Sequence, residues 1–217
     1  MVKKIIFLIG VLSIAFLSGC ATHANIEMKA LTKVSNKGFE NKSFSYEIFY
    51  SQPRPGVFSD GEQLALKPLK DQELSVAAAN TLSKIGVYME EQLPVSSKVV
   101  PANGDYNLKI SIIAHDKHGP SYADYDALAS FGKGLITFGL GSSEYTIKAD
   151  FDITYALINT RNNELVFEKS FNVKDSVDHE RSKLESISST QDYAGKLFEK
   201  HITSTMNEFM TDSAKKI

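Results

Sequence analysis

The chain lacks several things that would name a chemistry. Of its 217 residues none is tryptophan and one is cysteine, Cys20, so no disulfide forms within the chain in any compartment. It has no excess of basic charge: 24 Lys and Arg stand against 26 Asp and Glu. A chain of that balance has no general electrostatic pull toward phosphate backbones, and nucleic acid is not expected as a partner. It contains no apolar run of about 20 residues, the length that a membrane-spanning helix needs. Internal repeats and low-complexity tracts are absent too.

What is present begins at the N-terminus. Lys3 and Lys4 precede an apolar run from Ile5 to Leu17, followed by Ser18, Gly19 and Cys20. A short positive end and an apolar stretch of this length form a secretory signal pattern. Leu17, Ser18, Gly19 and Cys20 resemble a lipobox, the recognition site of the bacterial lipoprotein pathway. The resemblance implies a lipid thioether on the Cys20 sulfur and cleavage after Gly19. Two or more acyl chains make membrane attachment stable where one leaves it marginal. Ala21, where Asp would favour inner-membrane retention, implies the outer membrane, facing the periplasm. Lys3 and Lys4 leave with residues 1–19, so 22 basic groups face 26 acidic ones in the mature protein, a net −4 against −2 for the full chain.

Residues 20–42 show no sustained periodicity and read as a lipidated tether; residues 43–217 read as a single domain. Phe44, Tyr46, Ile48 and Tyr50 alternate as in a strand. Leu74, Ala78, Leu82, Ile85 and Met89 follow helical spacing, with Asp71 as N-cap and Glu73 in the first turn. Gly86 inside that helix costs up to about 1 kcal/mol relative to Ala. After a turn at Asn103, Gly104 and Asp105, residues 106–114 alternate again. Every odd position from Tyr145 to Leu157 is apolar, and after a turn at 159–163 the alternation resumes through Leu165, Phe167, Phe171 and Val173, interrupted at Lys169. That is a hairpin with one wet face. Ala194, Leu197, Phe198, Ile202, Met206, Phe209 and Met210 make one helical stripe. The expected fold is α+β: an antiparallel sheet of three to four strands with two amphipathic helices packed on one face.

This order resembles small outer-membrane lipoproteins of the YajG type, through residues 17–20, the helix 74–89, the strand 106–113, the hairpin 145–173 and the helix 197–210. Its fold is also similar to that of transport-auxiliary and lipopolysaccharide-assembly lipoproteins. The resemblance implies an accessory role in an envelope complex and supplies no catalytic residue. Residues 119–142 fall outside that plan and read as an apolar insertion rich in glycine and aromatics.

Four features of the sequence bear on chemistry. His115, Asp116, Lys117 and His118 offer two imidazoles and a carboxylate, but a zinc site needs further ligands, so no metal is expected. Lys133 follows Gly132 and precedes Gly134, not the Ser or Thr of a phosphate loop. No Gly-x-Ser-x-Gly elbow exists. Asp150 and Asp152 share one strand face, where carboxylates are usually just solvated. No catalytic residue and no cofactor are therefore expected. The insertion is the preferred candidate: Tyr122, Tyr125, Leu128, Phe131, Leu135 and Phe138 recur every three or four residues, as a contact for a partner or a membrane surface, the alternative being that the segment folds back to cover the core. The functional expectation is a non-enzymatic accessory or assembly factor, anchored by lipid at Cys20, with an envelope protein as partner. Alternatives are a surface-exposed lipoprotein in adhesion or exclusion, and a small envelope hydrolase.

Overall fold

The computed structural model describes residues 23–34, 37–56, 61–72, 74, 76–128, 130, 142–182, 185–186 and 188–217. Residues 1–19, Cys20, Glu73, Phe131, Leu135 and Phe138 lie outside the described residues.

Seven strands form one sheet: β1 (Ser43–Ser51), β2 (Lys67–Pro68), β3 (Lys98–Val99), β4 (Tyr106–Ala114), β5 (Ser121–Tyr125), β6 (Ser143–Asn159) and β7 (Glu164–Arg181). Among the described residues, the helices α1 (Val76–Ser83), α2 (Ile85–Gln92) and α3 (Ser188–Ser213) accompany them. The expected sheet of three to four strands with two helices is thus too small, and the sheet is mixed, because β1 lies parallel to β4 and to β3. Two-residue strands such as β2 and β3 carry no readable alternation, and strand direction leaves no mark in side-chain periodicity. The expected single helix over 74–89 is two. Asp71 ends a 3-10 turn (Leu69–Asp71) instead of capping a helix. The chain turns at Lys84, whose N–H donates to Thr81 O at 3.1 Å, a tightened last turn. Beyond the break, Gly86 lies under the ring of Tyr46; a Cβ there would sit 3.1 Å from the tyrosine oxygen.

The odd positions of β6 meet the helices. Ile147, Phe151, Ile153, Tyr155 and Leu157 are fully buried with Leu108, Ile110 and Ile112 of β4 and with Leu197, Phe198, Ile202, Met206 and Phe209 of α3. The Phe151 and Phe198 rings pack edge to face at 5.2 Å, and Tyr155 stacks on Phe209 at 5.2 Å. Burying side chains of this size contributes about 1.5–3 kcal/mol each. Lys169, which interrupts the alternation of β7, stands opposite Tyr155 on the helix side and reaches Glu208 and Asp212 of α3, each at 2.7 Å. Among the described residues no helix is long and apolar enough to cross a membrane.

The segment before β1 contributes to this core. Phe39 is fully buried against Phe44, Val34 N–H donates to Gln92 O at 2.7 Å, and Ala24 is 7% exposed.

Candidate functional site

Both β4 and β5 run antiparallel to β6, along one edge of it, while β7 occupies the other. Ala114 pairs with Phe151 and Ser121 with Ala149, so β5 continues the line of β4 and residues 115–120 loop out opposite Asp150 alone. Asp150 holds both ends of the loop: His115 N–H donates to Asp150 O at 3.1 Å, and Asp150 N–H donates to Pro120 O at 3.0 Å. Interruptions of a strand of this kind re-aim side chains. Gly119, at φ 109°, supplies a backbone angle that other residues rarely adopt.

The loop sets polar side chains on the sheet face away from the helices. His115 Nδ1 lies 2.7 Å from Asp150 Oδ1, and Nε2 lies 3.1 Å from Asp152 Oδ2. Ionised carboxylates only accept, so both contacts are complete hydrogen bonds only in the imidazolium form of the ring. Partial burial works against that charge, but the hydrogen bonds and charges of Asp150 and Asp152 outweigh it and hold the His115 pKa above its ordinary value. The Asn172 side chain, 2.6 Å from Asp152, and His115 together hold the Asp152 pKa low against its burial. Beside this triad, Asp116 accepts from His118 N–H at 2.8 Å and lies 2.6 Å from His118 Nδ1. Tyr122 hydrogen-bonds Asp116; burial first, then the charge of Asp116, push its phenol up to about 12. Lys148 pairs with Asp124 at 2.6 Å. The four-residue histidine cluster and the Asp150–Asp152 pair, separate in sequence, form one patch here. With both nitrogens of His115 engaged, neither is free to take a proton from a substrate.

Tyr122 and Tyr125 lie on opposite faces of β5. Tyr122 pairs with Lys148 on the outer face, whereas Tyr125 pairs with Tyr145 on the helix side, ring centroids 5.3 Å apart. Their helical spacing in sequence is that of a strand in the structure, so these two do not share a surface.

The helix-side row continues across the end of the sheet. Tyr145 pairs with His179 of β7, and the His179 ring lies 4.4 Å from that of Tyr193 on α3. His179 is fully buried, and burial holds its pKa down. Its Nδ1 accepts a hydrogen bond from Ala24 N–H at 3.3 Å, which ties down the start of the described chain. His23, His179 and Glu185 bring ligand-type atoms within 4.8 Å of one another. An Nδ1 that accepts leaves the ring proton on Nε2, the nitrogen aimed at Glu185 Oε1 at 3.5 Å. His179 Nε2 and Glu185 Oε2 are both buried without a hydrogen-bond partner among the described residues, so the trio brings ligand-type atoms together without satisfying them. Hairpin register counted from the turn at 159–163 would align Tyr145 with His179 only if the bulge between Leu157 and Ile158 were known.

No protein-family model matches the sequence, and no curated protein matches it. Similar solved structures include a Xanthomonas campestris protein of the family DUF330, with 11% identity, TM-score 0.44, and coverage of 90% of this chain and 98% of that one. A neuraminyllactose-binding hemagglutinin homologue from Helicobacter pylori matches at 9% identity and TM-score 0.41, covering 89% and 97%. A minor lipoprotein from Acinetobacter baumannii matches at 8% identity and TM-score 0.34, covering 79% and 94%. A lipoprotein is thus among the structural neighbours, and none of these three is named as YajG-type. At such identities and TM-scores the likenesses transfer no function to this chain.

Proposed function

We propose that the protein is a lipoprotein anchored through Cys20 in the outer membrane, facing the periplasm, and that it acts as a non-enzymatic accessory or assembly factor of an envelope complex. The observation that carries this reading is the sequence at residues 17–20: an apolar leader of secretory length ends in Leu17, Ser18, Gly19 and the chain's single cysteine. Ala21 supports the outer membrane over the inner. The occupied nitrogens of His115 argue against its acting as a general base. Contact with the partner or the membrane falls to Tyr125, Phe131, Leu135 and Phe138, with Tyr122 turned instead toward Asp116.

Palmitate labelling of growing cells tests the anchor. The wild type is expected to take up label and to fractionate with outer membranes, and Cys20→Ala to remain unlabelled and uncleaved. Label on the Cys20→Ala protein would overturn the reading. Crosslinking in cells, followed by purification, then identifies the complex.

A further inference from the structure

We infer that the end of the domain bearing Tyr125, Leu128, Tyr145 and Tyr193 rests on the bilayer surface, with these side chains at headgroup level. The inference rests on acylation of Cys20 and adds to it a fixed orientation of the domain.

The distance from the anchor comes first. Cys20 and Ala24 are four backbone steps apart, and a chain spans at most about 3.5 Å per residue, so the backbone of Cys20 lies within roughly 14 Å of Ala24. Ala24 is not at the free end of a tether. It is 7% exposed, and its N–H is held by His179. The C-terminal ends of β5 and β7 and the N-terminal ends of β6 and α3 all meet there: Tyr125 pairs with Tyr145, Tyr145 with His179, and the His179 ring packs on Tyr193. An acyl anchor at Cys20 therefore brings this end to the membrane and no other. The far end of the hairpin, at Asn162, lies about 50 Å away along a 17-residue strand at roughly 3.3 Å per residue.

The chemistry of this end suits a headgroup layer. Tyrosine combines an apolar ring with a polar tip and concentrates at membrane–water interfaces. Tyr125 is 51% exposed and Leu128 86%, while Tyr145 and Tyr193 are half-buried. Arg181 lies over the Tyr145 ring at 5.8 Å, and Asp126 and Glu144 stand close by. Those acids oppose insertion into the hydrocarbon and limit the contact to the headgroup level. Among the described residues, large apolar side chains exposed elsewhere include Val95 and Leu165.

The test uses the full-length acylated protein in vesicles of phosphatidylethanolamine and phosphatidylglycerol. Leu128→Cys and Asn162→Cys each receive an environment-sensitive fluorophore, since an acylated Cys20 offers no thiol. Nitroxide carried on lipid headgroups is expected to quench the dye at 128 severalfold more than the dye at 162. Equal quenching at the two positions, or none at 128 in protein whose mass shows the lipid, overturns the orientation while leaving the anchor intact. Protection of 128 from aqueous iodide without quenching by nitroxide lipid means that protein covers this end, and overturns it as well. Dye uptake by the wild type would instead show a free Cys20 and remove the anchor itself.

Discussion

On the outer face the His115 ring is held between two carboxylates, those of Asp150 and Asp152. The pKa of His115 is raised by folding, so its stabilising effect is complete below the ordinary histidine value near 6.5 and is lost as pH rises through the folded value. Asp152, held low, works at the other limit: its contribution is present at neutral pH and is lost as acid protonates it. His115→Gln keeps a hydrogen-bonding side chain but removes the charge. Its melting temperature should lie furthest below wild type near pH 6, by the equivalent of about 1 kcal/mol for a partly exposed ion pair, and converge toward pH 9. A gap that widens with rising pH would show that the ring is held neutral. This triad was not legible in the sequence. His115 and Asp150 stand 35 positions apart, and only the pairing register of β4 with β6, continued one residue past Ala114 and Phe151, sets one beside the other.

At the scale of elements, the long alternations of β4 and β6 and the stripe of α3 could be read because each repeats its period several times. β5 could not. Tyr122, Tyr125 and Leu128 are spaced as on a helix, yet the strand pairing of residues 121–125 with β6 overrides that spacing. Lys169 appeared only as an interruption, because its partners Glu208 and Asp212 lie on another element. Asp175 repeats the device: from the same face of β7 it reaches Lys200 at 3.0 Å and His201 at 2.9 Å. Among the described residues β7 is paired on one side only, along 18 residues. Inward-pointing charges are one way in which exposed edges avoid pairing with other chains. Lys169→Val combined with Asp175→Val should leave a folded domain that self-associates with rising concentration, as read by sedimentation. A double variant that stays monomeric at every concentration would mean that the edge is protected in another way.

For the whole molecule, the parallel pairing of β1 with β4 sets an order of assembly. Phe44 pairs with Tyr106, 62 positions away, whereas β6 and β7 are joined by a turn of four residues, 160–163. Local hairpins close within microseconds, while pairing across long separations costs loop entropy and comes late. Conservative truncations should therefore act on different rates: Phe151→Leu should slow folding, and Phe44→Leu should mainly speed unfolding, in stopped-flow experiments on protein lacking the leader and Cys20. Equal effects on the folding rate would contradict that order. The same order bears on secretion. A chain that crosses a membrane N-terminus first delivers β1 early, with only the two-residue strands β2 and β3 to pair against until β4 has emerged, and β4 in turn waits for residue 159. On the proposed reading, lipid added at Cys20 on emergence would be in place before the sheet end beside it had formed, and the anchored chain would assemble its domain at the membrane surface instead of arriving there folded.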